Sequence, residues 1–215
     1  LYSSAASDVY KRQLQVWPEI RKRVPDAELH VFYGFFNWRK IAEQRKDQDQ
    51  LTAIDFLEKK MVELAEQGVH YRGKVDQKTL AVEFLSAGVW ANPTWFSETS
   101  CISAMEAQAA GLRCVTSSIA ALNETVADYG VLLTGDWLSA EYQAQFVEET
   151  VRAMTAADGE WKWTRAEIQE RARRDFGLDA LAHDWVRMMR GVIVDLQTAP
   201  LVPYQPRADF KREAA

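Results

Sequence analysis

Five short β-rich runs, ELHVFYG (28–34), VHYRG (69–73), GVWANP (88–93), RCVTS (113–117) and GVLLT (130–134), are each parted from the next by a segment of helical character. Strands of this length alternating with helices predict βαβ units, and hence parallel pairing with right-handed crossovers. The expected fold class is therefore α/β, a Rossmann-like parallel sheet with helices on both faces, followed by C-terminal helices. The first run is preceded by LQVWPEIRKRV (14–24), with apolar residues at helical spacing and a stop at Pro25. Helical pattern is expected over 38–67, 76–87, 120–127 and after SETSC, and beyond Gly135 over 140–157 and 165–197. No internal repeat is visible.

The two ends read differently. Residues 1–13, LYSSAASDVYKRQ, lack an initial methionine and resemble a translated adaptor read-through, so they are expected to lie outside the fold. That reading starts the natural sequence at Leu14, inside a helix, and implies a longer chain with a further lobe upstream. Three of the six prolines fall in the stretch after Gln197, so 197–215 reads as a tail and 14–196 as the folded lobe with its closing helices. With 215 residues and 47% hydrophobic content the chain can bury a core of its own. A net charge of −5 offers no general footprint for nucleic acid. No apolar stretch is long enough to span a bilayer and no signal peptide is seen, which makes the cytoplasm the expected location. Cys101 and Cys114 form neither a CxxC motif nor a disulfide framework.

The chemistry is expected after GVWANP. In an open parallel sheet, ligands bind beyond the carboxyl ends of the strands, where loops lead into helix N-termini. Here the loop TWFSETSC enters a helix rich in small residues, whose first N–H groups and macrodipole suit an anion. Glu98 and Glu106 flank that entry. Eight residues of helix would part them by about 12 Å, whereas glycosidase carboxylate pairs work at about 5 to 9.5 Å. Two acceptor-only carboxylates at the wider spacing suit the diols of a nucleotide sugar, with its diphosphate on the helix start between them.

The segment ANPTWFSETSCISAMEAQAAGLRCVTSSIAALNETVADYGVLL closely resembles the donor-binding lobe of retaining glycosyltransferases of GT-B architecture. Their hallmark, Glu followed after seven residues by Glu, reads here ETSCISAME. VWPEIRKRVPDAELHVFYG and HYRGKVDQKTLAVEFLSAGVWANPT look like the units before it, and RARRDFGLDALAHDWVRMM like the closing helices. The resemblance implies transfer of a hexose-type sugar from a nucleotide diphosphate sugar to a glycan, lipid or protein acceptor, with retention and without a metal or other cofactor. It assigns Glu98 to the donor sugar as the catalytic residue. The backbone amides of Ser100, Cys101 and Ile102, beside Thr99, would meet sugar hydroxyls or phosphate, and Glu106 would hold the ribose. Gly73, Lys74 and Val75 would lie beside the base, and Glu124 would support the site from behind. Many members have glycine where this chain has Thr99 and Cys101. The family's basic pair against the diphosphate belongs to an earlier strand and loop, so the resemblance implies that these residues alone are inactive. It also implies that any peripheral membrane association runs through the upstream lobe. A nucleotide-sugar epimerase and a non-catalytic nucleotide-binding module are the competing readings.

Each residue also has a plainer reading. Ser103-x-x-Glu106 has the form of a capping box. Arg72 could reach the donor phosphate or form a surface ion pair. Trp95 and Phe96 could stack on a ligand or belong to the core, and Cys101 is expected to be a small packed residue. Asp47-Gln48-Asp49 has the form of a metal-binding D-x-D but sits in a polar helical context, and His30, His70 and His183 form no ligand spacing, so no metal site is expected. Arg165, Arg171, Arg173 and Arg174 have glutamate neighbours and read as a solvated helix face rather than a nucleic-acid patch.

Overall fold

The computed structural model describes residues 2–157 and 159–198. The tail expected over 197–215 therefore lies, from residue 199 onward, outside the described residues. The chain divides into two compact units, Leu1–Arg173 and Arg174–Ala215. In chain order the elements are α1 (Tyr2–Arg23), β1 (Leu29–Val31), α2 (Phe35–Arg45), α3 (Gln48–Glu63), β2 (Val69–Tyr71), α4 (Gln77–Ser86), β3 (Val89–Asn92), α5 (Ile102–Ala109), β4 (Arg113–Ser117), α6 (Leu122–Thr125), β5 (Gly130–Leu133), α7 (Ala140–Thr155), α8 (Arg165–Phe176) and α9 (Leu178–Thr198).

The five expected strands all form, and every pairing is parallel. They make two short sheets, β1–β2 and β3–β4–β5, rather than one. Alternation along β4 builds the second sheet into two layers of core, because successive side chains take opposite faces. Val115 joins the larger core, with Leu14 and Trp17 of α1, Ile54 and Leu57 of α3, and Phe146 and Val151 of α7. Cys114, one residue earlier, joins the smaller core with Ala104 and Ala107 of α5 and Leu122 and Val126 around α6. The small residues of α5 let that helix lie close against the sheet. Gly111, which follows it, has φ +78°, and an added Cβ would stand 2.4 Å from Cγ of Arg165, so only glycine fits that turn.

Two boundaries differ from expectation. Helix α1 crosses the line drawn between residues 13 and 14. Tyr10 packs on Tyr33 and Phe35, and buried Arg12 donates from Nη1 to the carbonyl of Pro93 at 3.1 Å. These residues enter the fold because the apolar face of LQVW continues through them on the same side of the helix. The helical region expected over 38–67 begins earlier, at Phe35, and is divided where Lys46 takes a left-handed conformation and Asp47 caps a fresh start at α3. In the second unit, Leu181, Trp185, Met188 and Val192 of α9 recur at helical spacing and are exposed. Among the described residues no helix is long and apolar enough to cross a membrane.

Candidate functional site

Parallel pairing brings the carboxyl ends of β3, β4 and β5 to one edge of their sheet. The loop from β3 leaves that edge at Pro93. Buried Thr94 ties it down, its Oγ1 accepting from the Phe96 amide at 3.1 Å, and the Ala121 amide donates to the carbonyl of Glu98 at 3.2 Å, which joins this loop to the one entering α6. Glu98 is half-buried, while Thr99 and Ser100 are exposed.

Helix α5 begins at Ile102 with Cys101 in the N-cap position, and no side chain caps it. This excludes the capping-box reading of Ser103 and Glu106: Ser103 already lies inside the helix, and Glu106 stands in its second turn. Among the described residues no side chain pairs with the half-buried Glu106 carboxylate. Cys101 is buried, as expected of a packed residue. Burial pushes its thiol up to about 11, and the Glu98 carboxylate beside it adds to the shift, so it is no nucleophile at neutral pH.

Glu98, Ser100 and Ile102 line an open cavity of about 1280 Å³ that runs between β1 and β3. The other expected site residues do not line it. Arg72, Gly73, Lys74 and Val75 follow β2, and Gly73 has φ +66°. The Arg72 guanidinium stands 3.4 Å from Glu83 of α4, the ion-pair alternative of the two readings of that residue. Glu124 lies exposed on α6, and what α6 contributes inward is its backbone. Trp95 stacks on Trp137 with ring centroids 5.9 Å apart. The arginines that line the cavity are engaged with carbonyls: Arg113 donates to Ala153 and Ala156, and Arg165 to Leu85 and Ala87.

One supporting group runs against the sequence reading. Arg171 is buried rather than part of a solvated face. It donates to Gln108 Oε1, to the carbonyl of Thr125 and, at 3.1 Å, to the carbonyl of Glu124, and its guanidinium lies 4.9 Å from the centre of the Tyr129 ring. Gln108, fully buried on α5, donates in turn to the carbonyls of Ala104 and Thr125 at 3.0 and 2.9 Å. This network fixes α5, and with it Glu106, against α6 and α8. In the D-x-D, Asp47 accepts from the Gln50 amide at 3.1 Å as a helix cap, and Asp49 is exposed.

Residues 7–156 match the family model described as glycosyl transferases group 1. Among solved structures, the pneumococcal O-GlcNAc transferase GtfA, crystallised in complex with UDP and GlcNAc, is similar with a TM-score of 0.57 and 14% sequence identity. That match covers 85% of this chain and 33% of the GtfA chain, so the residues here span about a third of that protein. The similarity is one of fold, that of a GT-B lobe. No curated protein matches the chain.

Proposed function

The chain belongs to the glycosyl transferases group 1 family, and from that premise we propose that it binds the nucleotide diphosphate sugar donor in a retaining, metal-independent hexosyl transfer. The observation that carries this reading is the uncapped N-terminus of α5 at the carboxyl edge of β3, with Glu98 on the cavity rim before it and an unpaired Glu106 one turn inside it. Amides at such a helix start offset negative charge on a departing diphosphate and are in place before the charge develops. Glu98 accepts from hydroxyls of the transferred sugar and orients it. Glu106 accepts from the ribose, with the amides of Ser100, Cys101 and Ile102 between the two. Glu124 supports this arrangement through the α6 backbone that Arg171 holds.

In this reading the lobe brings the backbone dipoles of the α5 start to the diphosphate, since Arg113 and Arg165 stand by the amino ends of β4 and β3 and are committed to carbonyls there. Charge neutralisation and activation of the acceptor hydroxyl then fall to residues of a complete protein. These residues alone are expected to bind without turnover.

Ligand-observed NMR with UDP, GDP and ADP tests the reading. One nucleotide is expected to bind, and Glu106→Ala to weaken it by about 1.5 to 3 kcal/mol, the size of a hydrogen bond to a charged group. Equal affinity of the variant and the parent chain would remove Glu106 from the site. Silence from all three nucleotides in a complete protein would remove the site itself.

A further inference from the structure

Two histidines that the sequence leaves far apart meet across β1 and β2. The parallel register sets Leu29 against Val69 and His30 against His70, so both imidazoles leave the pair on one face, with ring centroids 5.0 Å apart. Glu28, directly before β1, closes the third side. Its Oε2 is 3.0 Å from His30 Nε2 and its Oε1 is 3.6 Å from His70 Nε2. The ligating atoms of the three residues lie within 4.8 Å of one another. Tetrahedral zinc, with bonds of about 2.0 to 2.2 Å to nitrogen and oxygen, holds its ligand atoms about 3.3 to 3.6 Å apart. Small rotations of the Glu28 and His70 side chains close that difference.

The surroundings go further than a chance ion pair. The second nitrogen of His30, Nδ1, faces Glu83 Oε2 of α4 at 3.6 Å, and the other oxygen of Glu83 is 3.4 Å from Arg72. A carboxylate behind a ligating imidazole fixes its tautomer and ring orientation and raises its basicity. With an ion taking the place of the proton that Nε2 shares with Glu28, Glu83 is placed to face Nδ1–H and keep Nε2 aimed at the space between Glu28 and His70.

We propose that Glu28, His30 and His70 bind a divalent transition-metal ion, zinc by the chemistry of the donors, with Glu83 as the positioning residue for His30. Two imidazole nitrogens and one carboxylate suit zinc, whereas magnesium and calcium take oxygen ligands. Three protein ligands leave a fourth position for water, and the partial exposure of all three side chains gives the ion a path from solvent. The ion would clip β1 to β2 and, through Glu83, to α4. Strands of three residues hold a sheet weakly, so a ligand that binds only the paired form stabilises it by mass action. This site does not rest on the donor-binding reading, and its loss would leave that reading intact.

The test is a zinc titration of the chelator-stripped full chain against a chromogenic competitor at neutral pH, with His70→Ala, Glu83→Gln and His183→Ala beside it. His70 has 42% of its side chain exposed, so its replacement leaves the core untouched, and circular dichroism checks each variant. One equivalent is expected to bind with micromolar or tighter affinity. His70→Ala should lose at least about tenfold in affinity, and Glu83→Gln about ten- to a hundredfold, the range for groups that orient a metal ligand. His183→Ala should match the parent chain. No saturable uptake, or uptake that survives His70→Ala, overturns the site. Unchanged affinity in Glu83→Gln overturns the positioning role.

Discussion

Arg171 is the residue on which the geometry around the candidate site rests most heavily. Its buried guanidinium joins two elements, donating to Gln108 Oε1 of α5 and to the carbonyls of Thr125 and Glu124 of α6. Truncation would strand Gln108 Oε1 and take a donor from the carbonyls of Glu124 and Thr125, the latter keeping Gln108 Nε2, and each buried polar group without a partner costs about 1 to 3 kcal/mol. Arg171→Ala is therefore expected to lower stability by about 3 kcal/mol in urea denaturation. Arg171→Lys should recover only part of that, because a single ammonium cannot span the fork. A loss under about 1 kcal/mol for the alanine variant would mean that the network is not structural. The sequence could not reveal this. Glutamates flank Arg171 as they flank Arg173, and what separates them is contact with Gln108 on a helix distant in the chain. The placing of Glu98 before α5 and of Glu106 within it was legible because their setting is local, a strand end followed by a loop and a small-residue helix. His30 and His70 were not, because only the register of two separate strands makes them neighbours.

At the scale of elements, the helical region read over 38–67 holds two α-helices, α2 and α3, and the break between them has a chemical cause. Lys46 closes α2 in the left-handed region, donating to the carbonyl of Glu43 at 3.1 Å, and Asp47 opens α3. Asp47 Oδ2 also accepts from Gln50 Nε2 at 2.7 Å, and Gln50 Oε1 accepts from the Trp38 indole at 2.7 Å, so the cap ties the two helices together. Asp47→Ala should cost about 1 to 2 kcal/mol, the upper part of the range for an N-cap, measured by thermal or urea unfolding. Asp49→Ala should cost less than half as much. Equal effects, together with a stability that rises with added manganese, would restore the metal reading of the D-x-D. The break falls inside EQRKDQDQ (43–50), eight polar residues in a row, and a stretch without apolar residues carries no periodicity that could say where a helix stops. The break between α8 and α9 falls at Gly177, inside the stretch that resembles the family's closing helices. The strands were easier to read, since each ends in glycine, proline or a polar turn.

The first unit as a whole holds an interrupted sheet, and the direction of its backbone groups says what the interruption is. On β3, Gly88 and Asn92 turn their carbonyls toward β4, accepting from the Arg113 amide and the Thr116 hydroxyl, while Ala91 turns its carbonyl the other way and accepts from the Gln13 side chain. On β1, the Leu29 amide and the Val31 carbonyl are used by β2. By the alternation of a parallel strand, His30, Val89 and Ala91 point their amides into the cavity between β1 and β3. Thr150 of α7, buried on the same cavity, has no partner for its hydroxyl among the described residues. Helices α1 and α3 pack against each other, and β1 passes to β2 through α2 and α3. A right-handed crossover through α1 on that same face puts a strand feeding α1 on the far side of β1 from β2, which is the cavity. Hydrogen exchange measures the consequence directly. In this chain the amides of His30, Val89 and Ala91 should exchange at least about a hundredfold faster than those of Cys114 and Val115, which lie between two strands. In a longer chain whose upstream segment forms that strand, the same three amides should slow to the level of β4. Slow exchange in the present chain would mean that the two sheets close on each other in solution. Persistent fast exchange in the longer one would mean that the cavity is not a strand position.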